Sequence, residues 1–400
     1  MRLAAAVLTV AVLTACAAPP SAEPPTGVVF FDAAEGITVA DVGGAVLSTD
    51  ATVANPDWSR LYAVRGPQLV TFDPTTNREL ATVAVPAGRT ARVVSTSGRS
   101  VALTEHRTAH PEPRQRTRIV VADPAGARPA RTLDLAGNFD PEAFSTDDAY
   151  LFVLEYLPAH APERYRVRRV EVATGAVEPL LLRDKSLVPP GAEEEMRGEG
   201  RQAVLSPDRD RLYTLYLHQG DHEHTRDLLA GGSGRTVHAF VHVLSLTEGW
   251  AYCLDLPDPF GAHPADTHAL TISPDGRTLY VGELTTKHLA VADTETLTVS
   301  RVATLSDPDP GGPHTAMTTS ADGGELYVGS AKLVRRLDSR TLEVTATWPV
   351  PAPVQGLAVG PDGLLVGQAD RITRLDTTTG DVIDTVAAPG LRMLRTNTSR

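Results

Sequence analysis

Three imidazoles and two carboxylates fall within seven residues, His218-Gln219-Gly220-Asp221-His222-Glu223-His224. Imidazole nitrogens and carboxylate oxygens are donors that zinc and copper accept. The gaps of four and two residues match no structural zinc pattern, and a flexible stretch, Gly231-Gly232-Ser233-Gly234, follows. The run is therefore expected to be a solvated loop. The sharper reading is a divalent metal held by His218, His222 and His224; no other cofactor is expected. Cys253, in Trp250-Ala251-Tyr252-Cys253-Leu254, alternates as a strand residue does and is expected to be a small buried hydrophobe, not a nucleophile. Catalytic signatures are few. There is no Gly-x-Ser-x-Gly elbow, no phosphate loop and no dinucleotide fingerprint.

The other residue with chemistry to do is Cys16. Met1-Arg2 is a short basic start, and 3–13 is an apolar run of eleven residues, too short to span a bilayer but right for the core of a signal peptide. It ends in Leu13-Thr14-Ala15-Cys16, which resembles the bacterial lipobox. That resemblance implies a lipoprotein signal peptide over 1–15, a lipid (diacylglyceryl, with palmitate) on Cys16, and a Pro/Ala-rich tether over 16–26. The implied address is the cell envelope, on the extracytoplasmic side of a bacterial membrane. No later segment approaches 18 apolar residues. With Cys16 committed to lipid, Cys253 is left without an intramolecular disulfide partner.

These residues must be positioned by a core, and the composition allows one. The chain has 400 residues, 42% of them hydrophobic and 22% charged, so it is globular. A net charge of −12 argues against nucleic acid as a partner. The 32 glycines and 31 prolines are spread throughout, which implies frequent turns and short elements.

Internal similarity identifies those elements. Ser273-Pro274-Asp275-Gly276 is a β-turn signature followed by Leu279-Tyr280-Val281. Ser206-Pro207-Asp208 with Leu212-Tyr213, Ala321-Asp322-Gly323 with Leu326-Tyr327, Asn55-Pro56-Asp57 with Leu61-Tyr62, and Pro361-Asp362-Gly363 repeat it. Thr96-Ser97-Gly98 and Thr146-Asp147 are degenerate copies. Anchors at 57, 97, 147, 208, 275, 322 and 362 are spaced by 40 to 67 residues. Four short strands per such unit point to an all-β propeller. The repeat resembles the YVTN type, a relative of the WD repeat without its signature, since no Trp here precedes Asp. The resemblance covers 27–400 and implies a single propeller domain. Seven complete units and a composite one give eight blades, seven being the alternative. Residues 391–394 are expected to supply the inner strand of a blade whose other strands come from the N-terminus, so that no edge stays open.

Strand order then places the loops. The Pro-Asp-Gly turns share one face with the third-to-fourth-strand turns. The insertions at 105–117, 158–165, 183–200, 218–236 and 257–267 share the other, where binding is expected. Counting back seven residues from each anchor gives the mouth of the channel: Asp50, Thr90, Asp140, Arg201, His268, Thr315 and Gln355, with His314 beside Thr315. Asp50, Asp140, Arg201, His268, His314 and Gln355 are thus candidate ligand-binding residues. Together these features suggest a lipid-anchored binding or interaction module for an envelope protein, polymer or small ligand. A lactonase- or lyase-like propeller enzyme using the mouth residues is the alternative, and a metal-binding envelope protein the third.

Overall fold

The computed structural model describes residues 28–41, 46–106, 112–197, 202–220, 222–232, 238–306, 312–360 and 362–395. They form eight four-stranded antiparallel sheets, with most successive inner strands in contact, arranged as an eight-bladed propeller. In blade order the inner strands are Met393–Arg395, Val53–Ala54, Arg89–Val94, Asn138–Phe144, Gln202–Leu205, His268–Ile272, Ala316–Thr319 and Leu357–Gly360. The expected count of eight is met, and seven is excluded. Among the described residues no helix is long and apolar enough to cross a membrane.

Blades stack face to face, so their middle strands are covered on both sides and lose the apolar–polar alternation of a one-sided sheet. The third strand of blade 5, Ala239–Ser245, is buried at every residue. The outermost strand of blade 6, Thr298–Thr304, is exposed or half-buried throughout. Eight apolar clusters each lie between two consecutive blades.

Blade 1 closes the ring as expected, with its inner strand two residues later than foreseen. Met393–Arg395 pairs antiparallel with Val28–Asp32, Phe31 opposite Leu394. Ile37–Asp41 and Val46–Ser48 complete the sheet. Leu391 and Leu394 are buried between blades 8 and 1, and Arg395 Nη2 meets Asp32 Oδ2 at 2.6 Å.

The repeated turns show why their residues recur. Ser273 Oγ donates to Asp275 Oδ1 at 2.6 Å, and that carboxylate also accepts the Arg277 N–H at 3.0 Å. Gly276 carries a φ of +72°, which a side chain adopts poorly. A Cβ there would meet Pro207 of the preceding blade at 3.4 Å, so neighbouring turns nest around the ring. The short turns occupy one face, and the described insertions rise on the other.

Candidate metal centre

On the loop-rich face, the boundary between blades 4 and 5 gathers four donors from three segments. The loop leaving the second strand of blade 5, Arg211–Tyr216, turns back on itself, with Gln219 N donating to His238 O at 3.0 Å and His222 N to Gln219 O at 3.0 Å. This brings His222 onto Phe240, stacked at 4.4 Å between ring centroids, while His224 meets the same ring edge-on at 5.0 Å. A short helix, Thr225–Leu229, begins immediately afterwards. Cys253 comes from the outer strand of blade 5, Ala251–Leu256, opposite His242. Glu194 comes from the connection between the blades.

The ligating atoms of Glu194, His222, His224 and Cys253 all lie within 4.8 Å of one another. His222 Nε2 and His224 Nδ1 are 3.0 Å apart, and Cys253 Sγ is 2.8 Å from Glu194 Oε2. The same oxygen is 3.7 and 3.8 Å from the two imidazole nitrogens. A tetrahedral zinc ion with bonds of about 2.0–2.3 Å needs donors roughly 3.3–3.7 Å apart, so separations between these donors must change by up to about 1 Å to enclose one. His222, His224 and Cys253 are each at most 3% exposed.

The remaining atoms of each donor are engaged so that the lone pairs face inward. His222 Nδ1 lies 3.2 Å from Glu195 O, which leaves Nε2 as the donor atom. His224 Nε2 lies 2.5 Å from Asp255 Oδ1, an ion pair on the side of the ring away from the other donors. Arg226 clamps that carboxylate through Nη2 to Oδ2 at 2.6 Å and donates from Nη1 to Cys253 O at 2.6 Å. Glu194 Oε1 accepts the Thr225 N–H at 2.8 Å, freeing Oε2 for the centre.

Electrostatics favour the charged forms of Glu194 and His224 but the neutral thiol of Cys253. Burial pushes the Cys253 thiol well up, and the Glu194 carboxylate beside it adds to the effect. Burial alone would raise Glu194, yet the neighbouring imidazoles of His222 and His224 hold it well below the usual carboxylate range. His224 is raised against its own burial by Asp255 and Glu194. A cation between these groups would replace protons on sulfur and nitrogen.

Of the three histidines singled out from sequence, His222 and His224 converge here and His218 does not. Its backbone has a φ of +60°, and its Nε2 sits 2.9 Å from His263 O. The run is also not a solvated loop at its centre, because Phe240 and the inter-blade connection cover His222 and His224. Glu194 and Cys253 went unrecognised as donors. Their only sequence signal is an acidic triplet in one insertion and a lone cysteine on a strand, and nothing local links them.

The described mouth residues do not converge. Asp50 is exposed and paired with Arg65 at 2.7 Å, and Asp140 is paired with Arg92 at 2.9 Å. His268 is fully buried, its Nε2 accepting the Gly261 N–H at 3.2 Å and its Nδ1 lying 3.0 Å from Pro264 O. Both its nitrogens hold the 257–267 connection, and burial lowers its pKa. His314 is exposed, and Gln355 lines a channel cavity of about 590 Å³ with Gln202, Thr271 and Thr318. Arg201 lies outside the described residues.

No family model and no curated protein sequence matches the chain. Solved structures do. The chain is similar to the dihydro-heme d1 dehydrogenase NirN in complex with DHE (14% identity, TM-score 0.54, 96% of this chain and 77% of that one). It is likewise similar to AztD from Citrobacter koseri (13%, TM-score 0.55, 91% and 95%) and to Saccharomyces cerevisiae Sqt1 (10%, TM-score 0.52, 85% of each chain). These likenesses show the fold alone.

Proposed function

We propose that the protein is a lipid-anchored extracytoplasmic β-propeller that binds a divalent transition-metal ion of the zinc class between blades 4 and 5. The convergence of Glu194, His222, His224 and Cys253 within 4.8 Å carries this reading. One thiolate and one carboxylate supply two negative charges, which a divalent ion balances in a buried site. A monovalent copper ion would leave an unbalanced charge there. Sulfur and nitrogen donors disfavour magnesium and calcium. All four positions are filled by the protein, the pattern of sites that retain a metal; catalytic sites keep a position open for water or substrate. Binding is therefore favoured over the lactonase- or lyase-like alternative, which also finds no convergent set among the described mouth residues. The same loops make the metal centre part of the face on which an envelope partner, polymer or small ligand would dock. Anchoring through Cys16 rests on the Leu13-Thr14-Ala15-Cys16 motif.

The test is metal analysis of the purified protein after equilibration with zinc. One zinc per chain is expected for the wild type and for His218→Ala, and none for Cys253→Ser combined with His222→Ala. Absence of stoichiometric metal in the wild type, or its retention in the double variant, would reject the site.

A further inference from the structure

Glu194 is the one donor contributed from outside blade 5. The blade-5 loop touches the backbone after it, with His222 Nδ1 3.2 Å from Glu195 O and the Arg197 N–H donating to Gln219 Oε1 at 2.9 Å. The same backbone is also held from the other side. The third strand of blade 4, Arg164–Glu171, places Arg164, Arg166 and Arg168 on one face by strand alternation. The inter-blade connection runs antiparallel beside it, Tyr165 N donating to Met196 O at 2.9 Å and Met196 N to Tyr165 O at 2.7 Å. In such an extended stretch successive side chains point to opposite sides. Glu193 and Glu195 therefore turn towards the arginines, and Glu194 turns away towards His222, His224 and Cys253.

The arginine side is fully engaged. Glu193 Oε2 meets Arg166 Nη1 at 2.7 Å, and its Oε1 meets Arg168 Nη1 at 2.8 Å. Arg166 Nε reaches Glu155 Oε2 at 2.7 Å, and Arg164 Nε reaches Glu195 Oε2 at 2.9 Å. Arg168 Nε also donates to Glu178 O at 3.0 Å, which ties the network to the outer strand of the blade. The side chains of Arg166, Arg168, Glu155 and Glu193 are 13–22% exposed, so this network is screened less than surface pairs are. Three arginines face three glutamates, and the ladder brings no net charge to the metal. Its action is on placement.

We propose that Arg166 and Arg168 are positioning residues of the metal centre: by gripping Glu193 they set the backbone that delivers Glu194 Oε2 to the three blade-5 donors. This rests on the metal reading above and assigns a share of the fourth ligand's placement to the neighbouring blade. Loss of outer-sphere support of this kind typically weakens metal binding about 10- to 100-fold.

The experiment uses the full chain with Arg166→Gln and Arg168→Gln together. Zinc affinity is read by competition with a chromophoric chelator, and geometry by the absorption of the cobalt(II)-substituted protein. The expected result is zinc affinity about 10- to 100-fold below wild type. The cobalt ligand-field bands should shift to match those of Glu194→Gln, while the thiolate-to-cobalt charge-transfer band from Cys253 persists. Arg168→Lys, which keeps one ion pair, should recover part of the affinity. A general packing defect would not move the ligand-field bands towards the Glu194→Gln pattern. Wild-type affinity and an unchanged cobalt spectrum in the double variant overturn the inference while leaving the metal site standing. Should the double variant fail to fold, Glu193→Gln, which preserves shape, is held to the same two criteria. A wild-type protein that gives no thiolate-to-cobalt band rejects the metal reading itself, and this inference with it.

Discussion

Zinc added to the metal-free protein should raise its melting temperature by an amount that depends on where the donors sit along the chain. Glu194, His222 and Cys253 are separated by 28 and 31 residues, so the unfolded chain offers no ready four-donor site. Only His222 and His224, two residues apart, can still chelate there, which trims the effect slightly. At a free zinc concentration one hundred times the dissociation constant, binding to the native state contributes about 2.7 kcal/mol. Each tenfold rise in free zinc adds about 1.4 kcal/mol more. One kcal/mol shifts the midpoint of a 150–250-residue domain by about 2–4 °C, and of this larger one by roughly 1–2 °C. The expected rise is thus about 3–5 °C, read by scanning calorimetry across a zinc titration. Hydrogen exchange should slow selectively in the strands flanking the blade 4–5 boundary, Arg164–Glu171 and Ala251–Leu256, since the ion would join those two sheets. Cys253→Ser should abolish the increment. The same rise in Cys253→Ser, or slowed exchange spread evenly over all blades, would refute the reasoning.

Further outcomes are expected. Truncation after Gly390 removes Leu391, Leu394 and the innermost strand of blade 1, costing about 5 kcal/mol or more by analogy with buried leucine deletions; an unchanged urea midpoint and solubility would show that these residues do not close the ring. Cys16→Ser should leave the protein unprocessed or release it from the membrane fraction, and cleaved, membrane-retained protein would rule out lipidation. The turn carboxylates Asp147, Asp275 and Asp322 are held below the usual range, first by the hydroxyls of Ser145, Ser273 and Ser320 and then by backbone N–H groups. Groups lowered in the folded state contribute stability above their unfolded value near pH 4 and lose it as pH falls through the folded values. Stability should therefore hold above about pH 5 and decline below about pH 4, and a Ser273→Ala, Ser320→Ala variant with an unaltered acid limb would contradict this origin.

Much of the fold was legible because its instructions are local. Ser273-Pro274-Asp275-Gly276 encodes a turn through the Asp275 carboxylate and the left-handed Gly276, and its repetition sets the blade count. The pairing of the two termini could be read because Val28–Asp32 lacked an inner partner and the last segment lacked outer ones. Side-chain direction was less accessible. Counting back from the turns located His268 correctly at the start of an inner strand but could not show that the 257–267 connection folds over its ring. The candidate metal centre was half legible for a related reason. His222 and His224 stand together in sequence, whereas Glu194 and Cys253 join them only once two blades stack, and no periodicity within either blade records that contact.

The closure of blade 1 also gives the ring a direction in space. Its inner strand is supplied by the C-terminus, so the first N-terminal strand is second from the channel, and second strands set out from the side of the Pro-Asp-Gly turns. Val28 therefore lies on the plain side, twelve residues after Cys16. With Cys16 lipidated as proposed, a leash fixed at that point would let the plain side rest towards the bilayer and hold the blade 4–5 loops outward, into the medium from which an ion or partner arrives. A biotin acceptor peptide inserted at the 158–165 loop should then be labelled on intact cells more readily than one at the 275–277 turn, and the reverse order would show the ring lying the other way up.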